Sequence, residues 1–132
     1  MTKPIHSAIV VIAIGGALGT PARYAVSRVI PVAKDGFPWA TFATNVSGAL
    51  VIGLFLTVLA ARYPPSRYAR AFFAVGILGS FTTFSTMSVE TVDLVKDHHA
   101  ALGIGYLGAS VAAGLAACYV GVAIARGAIG PG

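Results

Sequence analysis

Residues 79 to 88 read GSFTTFSTMS, and six of the nine positions from Ser80 to Ser88 carry hydroxyls. The stretch lies inside an uncharged run from Ala71 to Val89. A bilayer core takes about 20 apolar residues in helical form, so this run is long enough to cross one. A single Ser or Thr can bond back to the carbonyl four residues earlier and hide its hydroxyl in a helix. Six of them, preceded by Gly76 and Gly79, predict a third helix that is broken at mid-membrane depth. Non-helical backbone is tolerated there only where it is buried in protein or lines water. Its freed carbonyls can then hold a small cation, as half-helix ends do in transporters.

The rest of the chain has the composition such a helix needs. Of 132 residues, 57% are hydrophobic and only 10% charged, against about 25% charged in soluble domains. Mean hydropathy is +0.85. Four apolar runs qualify as spans: residues 5–30, 38–61, 68–95 and 100–125. Short polar connections separate them, at PVAKDGF (31–37), RYPPSR (62–67) and KDHH (96–99). The expectation is an all-α membrane protein, a single four-helix domain over residues 1–132. The first run lacks a signal-type cleavage site before its polar end and reads as a retained span.

The formal charge is +5, with the basic residues mainly at the ends of the apolar runs. That pattern suits lipid headgroups, and no basic stripe interleaved with aromatics points to nucleic acid. Cys118 is the only cysteine, so an intrachain disulfide and a cysteine metal site are excluded; a buried, inert role is expected. With four spans, Lys3, Arg62, Arg67, Arg70 and Arg126 fall on one side. Arg28, Lys34 and Lys96 fall on the other, with Arg23 as a fourth. Five against four is a weak bias, and positive charge is what orients membrane helices. Either loop statistics are poor in so small a protein, or the chain inserts both ways and forms an antiparallel homodimer.

Polar groups at depth mark candidate sites. Asn45, Gly48, Ala49 and Ile52 share one helical face by spacing, which puts a carboxamide beside a strip of small residues. Asn45 reads either as interhelical glue or as a donor to a solute. Tyr106, Ser110 and Gly114 recur every four residues in span four, as a polar track or, for Tyr106, as an interfacial anchor. Arg23, near the end of a glycine-rich span, either attracts anions or snorkels to headgroups. Glu90, just beyond the hydroxyl stretch, either pairs there or reaches water. Neutral N–H and O–H donors and the positive edges of phenylalanine rings replace part of an anion's hydration without trapping it. The chemistry points to a small anion or a neutral polar solute.

Three stretches, GGALGTPARY (15–24), TNVSGALVIG (44–53) and GSFTTFSTMSVE (79–90), taken in this order and spacing, resemble the Fluc (CrcB) fluoride channels along nearly the whole chain. The resemblance implies a dual-topology, antiparallel homodimer of four-helix subunits in the inner or plasma membrane. It implies two pores that export fluoride passively. Asn45 then matches the pore asparagine, Phe84 the first of two pore phenylalanines, and Arg23 the vestibule arginine. Tyr106 and Ser110 match the polar track, and Thr83 and Ser85 belong to the pore motif. Gly79 and Thr82 match positions whose backbone carbonyls, from both subunits, hold a central structural sodium ion. Two positions depart from the pattern. Met87 stands in the pore where the family has its second phenylalanine, and Gly114 stands where a track hydroxyl is expected.

Two other classes compete. A small dual-topology multidrug transporter needs an embedded carboxylate, whereas Asp35, Glu90, Asp93 and Asp97 lie in loops or toward span ends. A non-transporting membrane assembly protein would leave the hydroxyl concentration unexplained. An enzyme is not expected, since His6, His98 and His99 lie at span ends without a catalytic or metal pattern.

Overall fold

A computed structural model describes residues 3–62 and 66–130. Pro64 and Pro65, expected to stop the second span, lie outside them, as do the side chains of Lys3 and Arg62. The described elements are helical: α1 (Lys3–Val29), α2 (Trp39–Arg62), α3 (Arg67–Ala69), a π-helical stretch (Arg70–Leu78), α4 (Gly79–Phe81), α5 (Phe84–Lys96) and α6 (Ala100–Ile129). Among the described residues, four helical spans are long and apolar enough to cross a membrane: Ile5–Val29, Trp39–Ala61, Arg67–Lys96 and Ala100–Ile129.

The turns follow from local chemistry. Gly36 donates to the Ala33 carbonyl at 2.9 Å, closing a turn in the first connection, and α2 starts directly after Pro38. Proline suits the entry of a helix because its missing N–H is not needed there. The third connection, KDHH (96–99), is turned by His98, whose φ is +66°. Histidine is among the few non-glycine residues that adopt this left-handed region with any frequency. The last helix runs past Arg126, beyond the expected end at residue 125, because nothing interrupts it before Gly130 at φ +81°.

Packing sorts the helices into two pairs. The α2 and α6 helices lie against each other along their length, and α1 lies against the π-helical stretch and α4. Lipid tails are as apolar as leucine, so membrane helices associate through close backbone approach. A methyl group at Gly53 would collide with the Cys118 carbonyl, and one at Gly121 with the Leu50 carbonyl. Cys118 is therefore fixed by its backbone, with a half-buried side chain.

The third span changes partners along its length. Before Thr82 it packs on α1; from Phe84 onward it packs on α6. Thr82 (φ −77°, ψ 155°) and Thr83 (φ −150°, ψ 114°) are extended and separate α4 from α5. Beyond them Met87, Leu94 and the fully buried Tyr106 form a core cluster, joined by Phe37, Phe42 and Leu102. The Phe37 and Tyr106 rings meet edge to face at 5.2 Å.

Candidate ion-pathway site

The six hydroxyls from Ser80 to Ser88 divide into two groups. Ser80, Thr82 and Ser88 donate to the carbonyls of Gly76 (2.6 Å), Leu78 (3.0 Å) and Phe84 (2.9 Å), four residues back. Ser80 and Ser88 hide their hydroxyls within helix, and Thr82 bonds back from the extended residue that ends α4. The other three converge. Thr83 caps α5, its Oγ1 accepting from the Thr86 N–H at 3.1 Å. The same Oγ1 lies 3.0 Å from Thr86 Oγ1 and 3.2 Å from Ser85 Oγ.

The extended backbone is met by Asn45 of α2. Asn45 Nδ2 donates to the Thr83 carbonyl at 3.0 Å, and the Thr83 N–H donates to Asn45 Oδ1 at 2.7 Å. In an uninterrupted helix the Thr83 N–H would bond to the Gly79 carbonyl. Here it turns to Asn45, and Gly79 loses its usual donor. One hydrogen of the Asn45 amide is not used by Thr83, since a carboxamide carries two.

Two cavities flank this point, and Thr83 lines both. The first, about 300 Å³, is lined by Thr20, Arg23, Tyr24, Thr41, Thr44 and Thr86 among others. Most of its lining residues carry a hydroxyl, and Arg23 adds a guanidinium. Pro21, inside α1, cannot donate a backbone bond, and its neighbours Thr20 and Arg23 face this cavity. The second, about 350 Å³, brings together Asn45, Gly48, Gly79, Thr82, Thr83, Phe84, Met87 and Ser110. Its walls are mostly apolar. Ser110 Oγ is buried with no hydrogen-bond partner among the described residues. Phe84 is 74% exposed, whereas Met87 is 5% exposed. Gly48 is required here, because a methyl on it would collide with the side chain of Thr82.

Tyr106 does not line either cavity. It is wholly buried, which sets aside the anchor reading, and its hydroxyl donates to Glu90 Oε2 at 2.6 Å. Thr41 Oγ1 donates to the other carboxylate oxygen at 2.8 Å. Of the two readings for Glu90, pairing is the observed one. Sequence reasoning did not single out the Thr41–Glu90–Tyr106 trio. The signal was present in Met87, Glu90 and Leu94, whose i, i+3, i+7 spacing puts the carboxylate on the buried face of α5. Gly114 has open space where a side chain would project, so no packing demand explains it.

The family described as "CrcB-like protein, Camphor Resistance (CrcB)" matches residues 10–122. Among curated proteins, "Fluoride-specific ion channel FluC 3" of Streptomyces avermitilis is 48% identical over 118 residues, 89% of this chain. The chain spans 58% of that relative's length. "Fluoride-specific ion channel FluC 1" of Streptomyces coelicolor is 42% identical over 89% of this chain and 77% of the relative. The protein of the same name from Mycolicibacterium paratuberculosis is 43% identical over 85% of both chains. Four spanning helices among the described residues and a family match over most of the chain agree: this multi-pass membrane protein belongs to the CrcB family.

Proposed function

We propose that the chain is a passive, fluoride-selective channel, and not an enzyme. The observation that carries this reading is the junction at Thr83. There a hydroxyl-lined cavity holding Arg23 abuts a chamber lined by Asn45, Phe84, Met87 and Ser110. Arg23 would raise the local anion concentration by its charge. Beyond it the donors are neutral: the unused N–H of Asn45, the unpartnered hydroxyl of Ser110 and the ring edge of Phe84. Thr83 and Ser85 supply hydroxyls at the junction. Neutral donors bind a small anion and still release it, as conduction requires. The names of the relatives support fluoride as that anion. Tyr106 would act at one remove, through Glu90.

The working unit in this reading is an antiparallel homodimer of one four-helix domain per subunit. Its third helices are broken within the membrane, and it has two pores. The weak charge bias suits insertion both ways, and the exposed Phe84 ring at the lip of the chamber suits cover by a second copy. The Gly79 carbonyl lacks its helical donor, and Thr82 is extended. Both carbonyls therefore fit a hard cation, and the two subunits together would hold one structural sodium ion. That ion would tie the two broken helices together without entering the transport step.

In a prokaryotic inner or plasma membrane, a negative interior drives an anion outward by about 2.3 kcal/mol per charge per 100 mV. Export would need no nucleotide or proton. Expression in bacteria deprived of their own fluoride exporter should restore growth in fluoride-containing medium, and the Asn45→Asp variant should not. Equal growth with and without the wild-type chain would contradict the reading.

A further inference from the structure

The Asn45 carboxamide does more than face a cavity: it engages both backbone groups of one residue. It donates to the Thr83 carbonyl and accepts from the Thr83 N–H. Two bonds from one planar group to one residue fix orientation as well as distance. They replace the pairing an extended strand would find in a neighbour. Thr83 is 8% exposed, caps α5, and stands in the wall between the two cavities. The residues that follow it, Phe84 and Met87, line the inner chamber. Whatever holds Thr83 therefore sets where α5 begins and where the Phe84 and Met87 side chains stand.

We propose that Asn45 is a positioning residue, a two-point clamp on the Thr83 backbone that sets the wall between vestibule and chamber. Its remaining N–H stays available to an anion. An asparagine is suited to both tasks because its amide has two donor hydrogens and one acceptor oxygen. Aspartate would keep the acceptor but oppose the Thr83 carbonyl with a second oxygen. Serine is too short to span both groups. The inference rests on the channel reading only where conduction is measured.

Two experiments separate the clamp from a role confined to ion contact. In the first, the α-hydroxy analogue of threonine replaces Thr83, which removes the backbone N–H and keeps every side chain, Asn45 included. In saturating sodium, so that a weaker Thr82 carbonyl does not limit the dimer, fluoride flux should fall about tenfold or more, the equivalent of one lost hydrogen bond. The purified oligomer should be unchanged. Flux within about twofold of wild type would overturn the clamp while leaving the channel reading intact. The second experiment is independent of conduction: amide hydrogen exchange at Thr83 in reconstituted protein. Asn45→Ala should accelerate exchange there about tenfold, with the middle of α6 unaffected. Unaltered exchange at Thr83 would overturn the clamp even if the wild-type chain carried no fluoride at all.

Discussion

The α2 helix faces two different neighbours, and they are held by different physics. Toward α6 it presents Gly53, and α6 presents Gly121, each against a carbonyl of the other helix. Nothing there can exchange partners, because backbone touches backbone. Toward the third span it presents Asn45, Gly48 and Thr41, which meet an extended backbone, a threonine methyl and a carboxylate. Hydrogen bonds at this second face have donors to spare, and two cavities adjoin it. The first face is a frame and the second a site. A membrane protein without a hydrophobic push between its helices needs the frame to be close-packed so that the site can stay loosely filled.

The comparison can be broken at either face. The largest effect is expected at the frame. Gly121→Leu drives a side chain into the Leu50 carbonyl, and because backbone cannot yield as a side chain can, the cost should exceed the usual overpacking range of about 1–3 kcal/mol. Loss of a monodisperse peak in size-exclusion chromatography checks this. At the site the protein should survive while transport fails. Asn45→Asp puts a negative charge on the proposed anion path, and flux from liposomes should drop to the protein-free leak. Phe84→Ile removes a ring edge from the chamber lip. It should slow flux severely with the oligomer intact, since Phe84 is mostly exposed within the single chain.

Two smaller changes sharpen the comparison. Glu90→Gln leaves either Thr41 or Tyr106 without a carboxylate oxygen to receive its hydroxyl. A lower thermal midpoint is expected, corresponding to about 1–3 kcal/mol for one unsatisfied buried group. The smallest effect belongs to Met87→Phe. Met87 is packed beside Tyr106 and Leu94 but also borders the 350 Å³ chamber, so a ring has space to turn into. Flux should be retained or increased; its loss would show that packing around α5 cannot accept a second ring.

These two faces were unequally legible in the sequence. Hydropathy and length gave all four spans, because a bilayer demands nearly the same apolar length of each. The hydroxyl-rich stretch drew attention to the part of the third span where Thr82 and Thr83 are extended, although Ser80 and Ser88 are ordinary back-bonded helix residues. The identity of the residue that meets the extended backbone was not readable. Asn45 was singled out for its depth, but spacing along α2 says nothing about a partner 38 positions away. Glu90 stood between pairing and water for a related reason. Spacing along the third span names no partner on α2 or α6, while the face Glu90 shares with Met87 and Leu94 turns it toward Tyr106.

The most direct measurement is fluoride efflux from liposomes containing the purified protein, with a potassium ionophore to balance charge and chloride as the control anion. The account predicts rapid electrogenic fluoride release without chloride release. Protein that is folded and oligomeric in sodium but releases no fluoride would contradict it.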